Sequence, residues 1–197
     1  GSNNPDGIEI KKNKGSDGRP LDGIAMHPYY TVKDIYGLAV FFVLFAAVVF
    51  FAPEMGGLFL EAANFEPANA LLTPEHIAPV WYFTPYYAML RAVPAFAGTQ
   101  VWGVLVMFAA IVLLFFVPWL DRAPVKSIRY RGPIYKVALM LFAAAFIMLG
   151  YCGMKPPEQP FKAMSVIGTV YYFLFFLLMP WYSRIDSHKP EPSRVTS

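Results

Sequence analysis

The chain has 197 residues, of which 57% are hydrophobic, 17% are aromatic and only 15% are charged. A soluble domain carries roughly a quarter charged residues, so this composition indicates a membrane protein. The net charge of +3 comes without a stripe of basic and aromatic residues, which argues against nucleic acid as a partner, and the single cysteine excludes an internal disulfide and a cysteine-only metal site.

The first 33 residues are polar and rich in turn formers, so they are predicted to form a loop. The chain opens at Gly1-Ser2-Asn3-Asn4-Pro5, with neither an initiator methionine nor a signal peptide. An opening of this kind is typical of the exit from a helix or of a loop, and not of a natural beginning. We therefore expect the chain to be a piece of a longer polypeptide.

Four apolar stretches without charged residues follow, at about residues 35–53, 101–120, 137–154 and 163–183. Each reaches the length of a membrane-spanning helix, roughly 17–25 residues. The predicted fold is an all-α membrane protein with a four-helix transmembrane domain over residues 34–183. A long loop at 54–100 joins its first two helices, and a polar tail at 184–197 ends the chain.

The loops on either side of the second apolar stretch carry opposite charges. Residues 54–91 hold four glutamates and one arginine, for a net charge of −3, whereas residues 121–136 hold five basic residues and one aspartate, for a net charge of +4. Basic loops favour the cytoplasmic side of a membrane. The charge pattern therefore predicts that the 54–100 loop lies on the outer face and that both termini are cytoplasmic.

The interiors of the four stretches contain no acidic, basic or histidine residue. A proton or ion path generally needs such a group near the middle of the membrane, and a transmembrane haem needs histidine ligands. Neither function is expected of this chain alone. What remains is polar and aromatic residues at the ends of the predicted helices.

Several segments, taken together and in this order, resemble the C-terminal half of cytochrome b of the ubiquinol–cytochrome c oxidoreductase, in a bacterial form. They are Gly1–Pro5, Met26–Asp34, Pro79–Tyr82 and Leu178–Pro180. The resemblance covers nearly the whole chain and implies four transmembrane helices, the number that the apolar stretches predict. It also implies a bacterial inner (plasma) membrane location.

The resemblance implies two quinone sites, at opposite membrane faces. The outer-face site would oxidise quinol with Pro79, Val80, Trp81, Tyr82, Phe83 and Tyr87. The inner-face site would reduce quinone with Ser2, Met26, Lys33 and Asp34, with Tyr30 nearby. A quinone head is a flat ring with two carbonyls, which suits aromatic walls and a few polar groups, and its reduction takes up two protons.

The resemblance also implies cofactors and partners. Two b-type haems would be ligated by the missing N-terminal half of cytochrome b and none by this chain. The other implied partners are a Rieske iron–sulfur protein, a cytochrome c-type haem subunit and membrane lipid, within a dimeric complex. No metal site is expected in this chain, and it is not expected to be active alone.

One position departs from the family pattern. Val80 stands where the family commonly has a glutamate that takes part in accepting the proton of the quinol. Valine cannot accept a proton. Glu75, beside His76, is a candidate proton acceptor, Tyr87 is another, and exit through the Rieske partner is a third.

Simpler interpretations of these residues stay open. Asp34 could cap the first transmembrane helix and complement its dipole, and the tyrosines near Pro79 could form an interfacial aromatic belt. The whole chain could instead be the separate small subunit of a cytochrome bf complex, although that subunit has three spans. It could also be a structural or transport membrane subunit without a redox role.

Overall fold

The computed structural model describes residues 5–9, 13–60, 62–72, 77–96 and 98–194. Within these ranges the secondary structure is helical apart from isolated β-bridges, as an all-α fold predicts. The helices are α1 (Tyr29–Phe51), α2 (Thr84–Ala92), α3 (Val101–Phe115), α4 (Val117–Leu120), α5 (Pro133–Gly153), α6 (Phe161–Leu177) and α7 (Met179–Ile185). Three short 3₁₀ helices lie at Met55–Gly57, Ala62–Phe65 and Trp81–Phe83.

The chain divides into two units. The first comprises residues 1–8 and 75–197, and the second comprises residues 9–74. The second unit thus contains α1 together with the loop before it, and no residue of α1 is buried. The first unit contains α2 to α7.

Two helices among the described residues, α1 and α5, are long and apolar enough to cross a membrane. A third candidate is the pair α6 and α7, which is bent by 58°. α3 is apolar but has only 15 residues, which at about 1.5 Å per residue is shorter than the roughly 30 Å hydrocarbon core. The structure thus gives two to three candidate spans where the apolar stretches predict four.

Prolines account for the shorter helices. The predicted helix at 101–120 is divided into α3 and α4, with Pro118 in the first turn of α4. The predicted helix at 163–183 is divided into α6 and α7, with Pro180 in the first turn of α7. Proline lacks the backbone N–H of a helix interior and its ring clashes with the preceding turn, so it favours the start of a new helix.

The core of the first unit lies where α5 packs along both α2 and α6. Phe142 of α5 stacks on Phe175 of α6 with ring centroids 4.4 Å apart. The buried Tyr172 hydroxyl donates to the carbonyl oxygen of Ala110 at 3.0 Å, and Tyr182 donates to Phe175 at 2.9 Å. Each buried hydroxyl therefore has an acceptor, which removes the cost of burying it.

α2 is a helix within the 54–100 segment, which the sequence predicts to be a loop. Its buried residues are Thr84, Pro85, Ala88, Met89 and Ala92, which lie on one face at helical spacing. That face contacts α5, α3 and α6. The 54–100 segment is therefore partly a packed element of the first unit.

Two glycines allow α2 to approach its neighbours closely. A Cβ built on Gly153, the last residue of α5, would overlap the carbonyl group of Thr84. A Cβ built on Gly103 of α3 would overlap the carbonyl oxygen of Leu90. Side chains at these two positions would push α2 away from α5 and α3.

The start of α5 receives a carboxylate from the end of the chain. Asp186 is buried and accepts hydrogen bonds from the backbone amides of Ile134 at 3.4 Å and Tyr135 at 2.9 Å. The first amides of a helix lack partners within it, and a negative charge there complements the helix dipole. A residue of the predicted polar tail thus stabilises α5.

Residues 5–8 attach to the connection between α4 and α5. Asp6 is fully buried and accepts hydrogen bonds from the Tyr130 hydroxyl at 2.6 Å and from Arg129 Nη1 at 3.2 Å. Ser127 donates a further hydrogen bond to the carbonyl oxygen of Pro5. The bond to Asp6 raises the pKa of the Tyr130 phenol.

Candidate functional site

The first candidate site is a tight aromatic turn before α2. Val80 precedes the 3₁₀ helix Trp81–Phe83, and its carbonyl oxygen accepts a hydrogen bond from the Phe83 amide at 2.8 Å. The Thr84 hydroxyl donates to the carbonyl oxygen of Trp81 at 2.6 Å. Pro79 fixes its own φ before the turn. The segment is therefore held as a defined turn that leads into α2.

The turn separates exposed from buried side chains. Val80, Trp81 and Tyr82 are exposed to 45%, 48% and 63%, whereas Thr84 and Pro85, the first two residues of α2, are buried. The rings of Trp81 and Tyr82 meet edge to face at 5.7 Å. The exposed surface thus combines two aromatic rings with one aliphatic side chain and carries no charge of its own.

The other two predicted residues of this site, Phe83 and Tyr87, are half-buried and lie one helical turn apart. Phe83 contacts Tyr86 at 5.9 Å between ring centroids, and Tyr86 contacts Phe146 of α5 at 5.9 Å. Aromatic contacts therefore link the turn to the core. Tyr87 also lies under the guanidinium of Arg91, with 4.6 Å between Cζ and the ring centroid.

The residues that hold this turn in place were not identified from the sequence. Arg91 donates from Nη2 to the carbonyl oxygens of Cys152 at 2.8 Å and Gly153 at 3.2 Å. The only sequence signal for Arg91 is that it is the single basic residue within 54–91. No sequence pattern marks Gly153, because its role depends on a close contact with Thr84, which is distant in sequence.

The candidate proton acceptor Glu75, and His76 beside it, lie outside the described residues. Val80 itself is an aliphatic side chain at the start of the turn, so it provides a wall and no proton acceptor. The hypothesis for Glu75 stays a prediction. Ser2, predicted for the other site, also lies outside the described part of the chain.

The second candidate site lies at the start of α1, in the second unit. The Met26 carbonyl oxygen accepts the amide hydrogen bonds of Tyr30 at 2.8 Å and Thr31 at 3.2 Å. Tyr30, Lys33 and Asp34 follow at positions i, i+3 and i+4, which places them on one side of the helix. The Lys33 ammonium lies 5.3 Å from the centroid of the Tyr30 ring. The helix thus brings an ammonium, a carboxylate and a phenol together.

The structure contradicts the interpretation of Asp34 as the cap of α1. The helix begins at Tyr29, with Pro28 at its N-cap position and no side-chain capping hydrogen bond. Asp34 therefore lies in the second turn, where it cannot reach the unpaired amides of the first. Its side chain is exposed, as is that of Lys33. These two charges are available to water and to a ligand.

Among the described histidine, cysteine, aspartate and glutamate residues, no group of three or more could hold a metal ion. His27 and His188, the two histidines in the part of the chain that the structure describes, belong to different units. Each of the two sites can contact a flat apolar ring and supply polar groups to the ends of that ring. Neither site provides a metal-binding pocket within the described residues.

A family model and two longer relatives all relate this chain to cytochrome b. Residues 67–173 match the family model described as "Cytochrome b(C-terminal)/b6/petD". The chain is 60% identical to cytochrome b of Allochromatium vinosum over 201 residues, which cover 100% of this chain and 49% of that protein. It is 45% identical to cytochrome b of Rhodospirillum rubrum, with 100% of this chain and 45% of that protein covered.

A solved structure entitled "Hyperthermophilic respiratory Complex III" contains a chain with the same fold. It matches with a TM-score of 0.78 and 35% identity, over 94% of this chain and 44% of that chain. The chain thus spans about half the length of the relatives it matches.

Proposed function

The chain belongs to the family of the C-terminal half of cytochrome b, and from this membership we propose that it is a membrane subunit of a quinol–cytochrome c oxidoreductase. In this role it forms part of an outer-face quinol-oxidation site and part of an inner-face quinone-reduction site. Electron transfer between the two sites is coupled to proton translocation. The observation that carries the proposal is the match of the whole chain, at 60% identity, to a cytochrome b.

The proposed topology has four spans in a bacterial inner membrane. α1, α5 and the bent pair α6–α7 supply three of them, and α3 with α4 supplies the fourth, since together they extend over Val101–Leu120. The basic loop at 121–136 and both termini lie in the cytoplasm, and the acidic 54–91 segment lies outside. Residues 1–33 are then a cytoplasmic loop, and residues 184–197 are a cytoplasmic tail, in which Asp186 caps the start of α5.

At the proposed outer site, the quinol ring lies against the exposed side chains of Val80, Trp81 and Tyr82, with Pro79, Phe83 and Tyr87 completing the walls. Apolar walls bind the flat ring and exclude water, while few polar groups fix its orientation. Oxidation of a quinol releases two electrons and two protons. Because Val80 cannot take a proton, other groups must receive the two protons.

At the proposed inner site, the quinone takes up two electrons and two protons. Asp34 donates one proton to a quinone oxygen, and water at the helix end supplies the second proton and reprotonates Asp34. The Lys33 ammonium stabilises negative charge that develops on the ring oxygen. Tyr30 and Met26 form the wall beside them, and Ser2, which lies outside the described residues, stays a predicted polar residue of this site. Asp34 and Lys33 suit this role because both are exposed at the start of α1.

We also propose the cofactors and partners that membership of this family implies. The two b-type haems are ligated by the N-terminal half of cytochrome b, which corresponds to the part of the relatives that this chain does not match. They supply the electron path between the two sites. The other proposed partners are a Rieske iron–sulfur protein, a cytochrome c-type haem subunit, lipid and a second copy of the complex.

The proposal is tested on the native assembly, purified through a tag on this chain. We expect a reduced-minus-oxidised absorption spectrum with b-type haem bands, and a quinol–cytochrome c reductase activity that an outer-site quinol inhibitor abolishes. An assembly that contains no b-type haem, or one that does not oxidise quinol, would overturn the proposal.

The Glu75 hypothesis has its own test. Glu75→Gln should lower the rate of quinol oxidation at least about tenfold and change its pH profile, because a positioned general base typically contributes 10²–10⁴-fold and other acceptors replace part of it. Glu66→Gln, in the same acidic segment, is the matched control and should leave both unchanged. An unchanged rate and pH profile in Glu75→Gln would exclude Glu75 as the acceptor.

A further inference from the structure

Arg91 occupies an unusual position at the end of α2. Its Nη2 donates to the carbonyl oxygens of Cys152 at 2.8 Å and Gly153 at 3.2 Å, at the end of α5. The last carbonyls of a helix lack partners within the helix, and the negative end of its dipole attracts a cation. The guanidinium is thereby fixed in place by a different helix from its own.

The same guanidinium covers the ring of Tyr87, with 4.6 Å from Cζ to the ring centroid. Tyr87 and Arg91 are four residues apart on α2, so their side chains are neighbours on the helix surface. A cation over an aromatic face is attracted by the ring quadrupole, and the attraction increases when the pair is partly desolvated. Both residues are half-buried. The Tyr87 ring is therefore held by the Arg91 guanidinium, which is itself hydrogen-bonded to the end of α5.

The opposite end of α2 is held by the same turn of α5. Thr84 begins α2, and its carbonyl contacts Gly153 so closely that a Cβ there would overlap it. The Thr84 hydroxyl donates to the carbonyl oxygen of Trp81. The end of α5 thus fixes Trp81 through Thr84 and fixes Tyr87 through Arg91.

We propose that Arg91 is a positioning residue of the quinol-oxidation site, which fixes the Tyr87 ring as a wall for the quinol by clamping it to the last carbonyls of α5. The proposal rests on the proposed function of the chain. Arg91 acts through Tyr87 and needs no contact with the quinol. If Arg91 were only a cap for α5, its loss would affect stability in the same way whether or not Tyr87 carried a ring.

The test is a double-mutant cycle in the native assembly, with a short-tailed ubiquinol as substrate. Arg91→Met should raise the KM for this quinol about fivefold, the size expected for one lost cation–π contact, while kcat changes less than twofold. Tyr87→Phe retains the ring, so Arg91→Met should have the same effect in that background. Tyr87→Leu removes the ring, so Arg91→Met should then cause no further increase in KM.

A matched control comes from the same end of α5. The Lys155 ammonium lies 5.3 Å from the centroid of the Tyr151 ring, so Lys155→Met removes a cation–π pair outside α2. This variant should leave the KM unchanged. The b-type haem content and the melting temperature of each assembly show whether it has folded, and Arg91→Lys, which keeps the charge, should be intermediate.

The possible results separate the inference from the function on which it rests. Equal effects of Arg91→Met in the Tyr87→Leu and wild-type backgrounds would overturn the positioning role. An unchanged KM in Arg91→Met, with active wild-type assembly, would overturn it as well. Failure of the wild-type assembly to oxidise quinol would instead overturn the proposed function. Should Arg91→Met not assemble, the same cycle is run with Arg91→Lys, and an effect that persists in Tyr87→Leu again counts against the proposal.

Discussion

Replacing Gly153 by alanine should reduce quinol oxidation about 100-fold. The added Cβ would overlap the carbonyl group of Thr84, so α2 must move away from α5. The aromatic turn at Trp81 would move with α2, and a misplacement of about 1 Å in a reacting site can cost 10²-fold in rate. The measurement is kcat/KM for quinol in the native assembly, with b-type haem content as the check that the complex has formed.

Gly150 provides the control for this experiment. It lies in α5 one turn earlier, and a Cβ there would be 3.6 Å from Pro85 Cγ, which is ordinary van der Waals contact. Gly150→Ala should therefore keep the wild-type rate. Wild-type kcat/KM in Gly153→Ala, with normal haem content, would show that the close approach of α2 and α5 does not position the site.

Replacing Asp34 by asparagine should slow quinone reduction at the inner site by at least about 100-fold. Asparagine keeps the size and the hydrogen bonding of the side chain but cannot donate a proton, and general acid catalysis typically contributes 10²–10⁴-fold. The rate is measured as electron exchange between the quinone pool and the b-type haems while an outer-site inhibitor blocks quinol oxidation.

Asp17→Asn is the matched control for Asp34→Asn. Asp17 is an exposed aspartate of the same unit and forms an ion pair with Arg19 at 4.0 Å, outside the predicted site. It should leave the inner-site rate unchanged. If Asp34→Asn kept the wild-type rate, the proton would come from another group and the proposed role of Asp34 would be wrong.

Apolar length was the strongest sequence signal in this chain. The stretches at 35–53 and 137–154 correspond to α1 and α5, because lipid and core both select apolar residues whatever their periodicity. The helix ends were less predictable. α1 begins at Tyr29, several residues before Asp34, where the sequence predicts the transmembrane domain to start.

The helix α2 and the hydrogen bonds between Arg91 and the end of α5 could not be predicted from the sequence. The sequence of α2 begins with Thr84-Pro85 and is only nine residues long, so it carries a weak helical signal. Arg91 and the Cys152 carbonyl oxygen are 61 positions apart, and no local pattern relates them. The motif Pro79–Tyr82 could be recognised from the sequence because its residues are consecutive, whereas the contacts that orient it come from the tertiary fold.

The two ends of α5 have a consequence for the order in which the protein forms. The first amides of α5 are paired by Asp186, 52 positions after Ile134, while its last carbonyls are paired by Arg91, which precedes it. Chain synthesis proceeds from the N-terminus, so the end of α5 meets its partner as soon as the helix emerges. The start of α5 must wait until Asp186, which follows α7, has been synthesised. Loss of the segment after α7 would therefore leave the first amides of α5 without the carboxylate that accepts their hydrogen bonds.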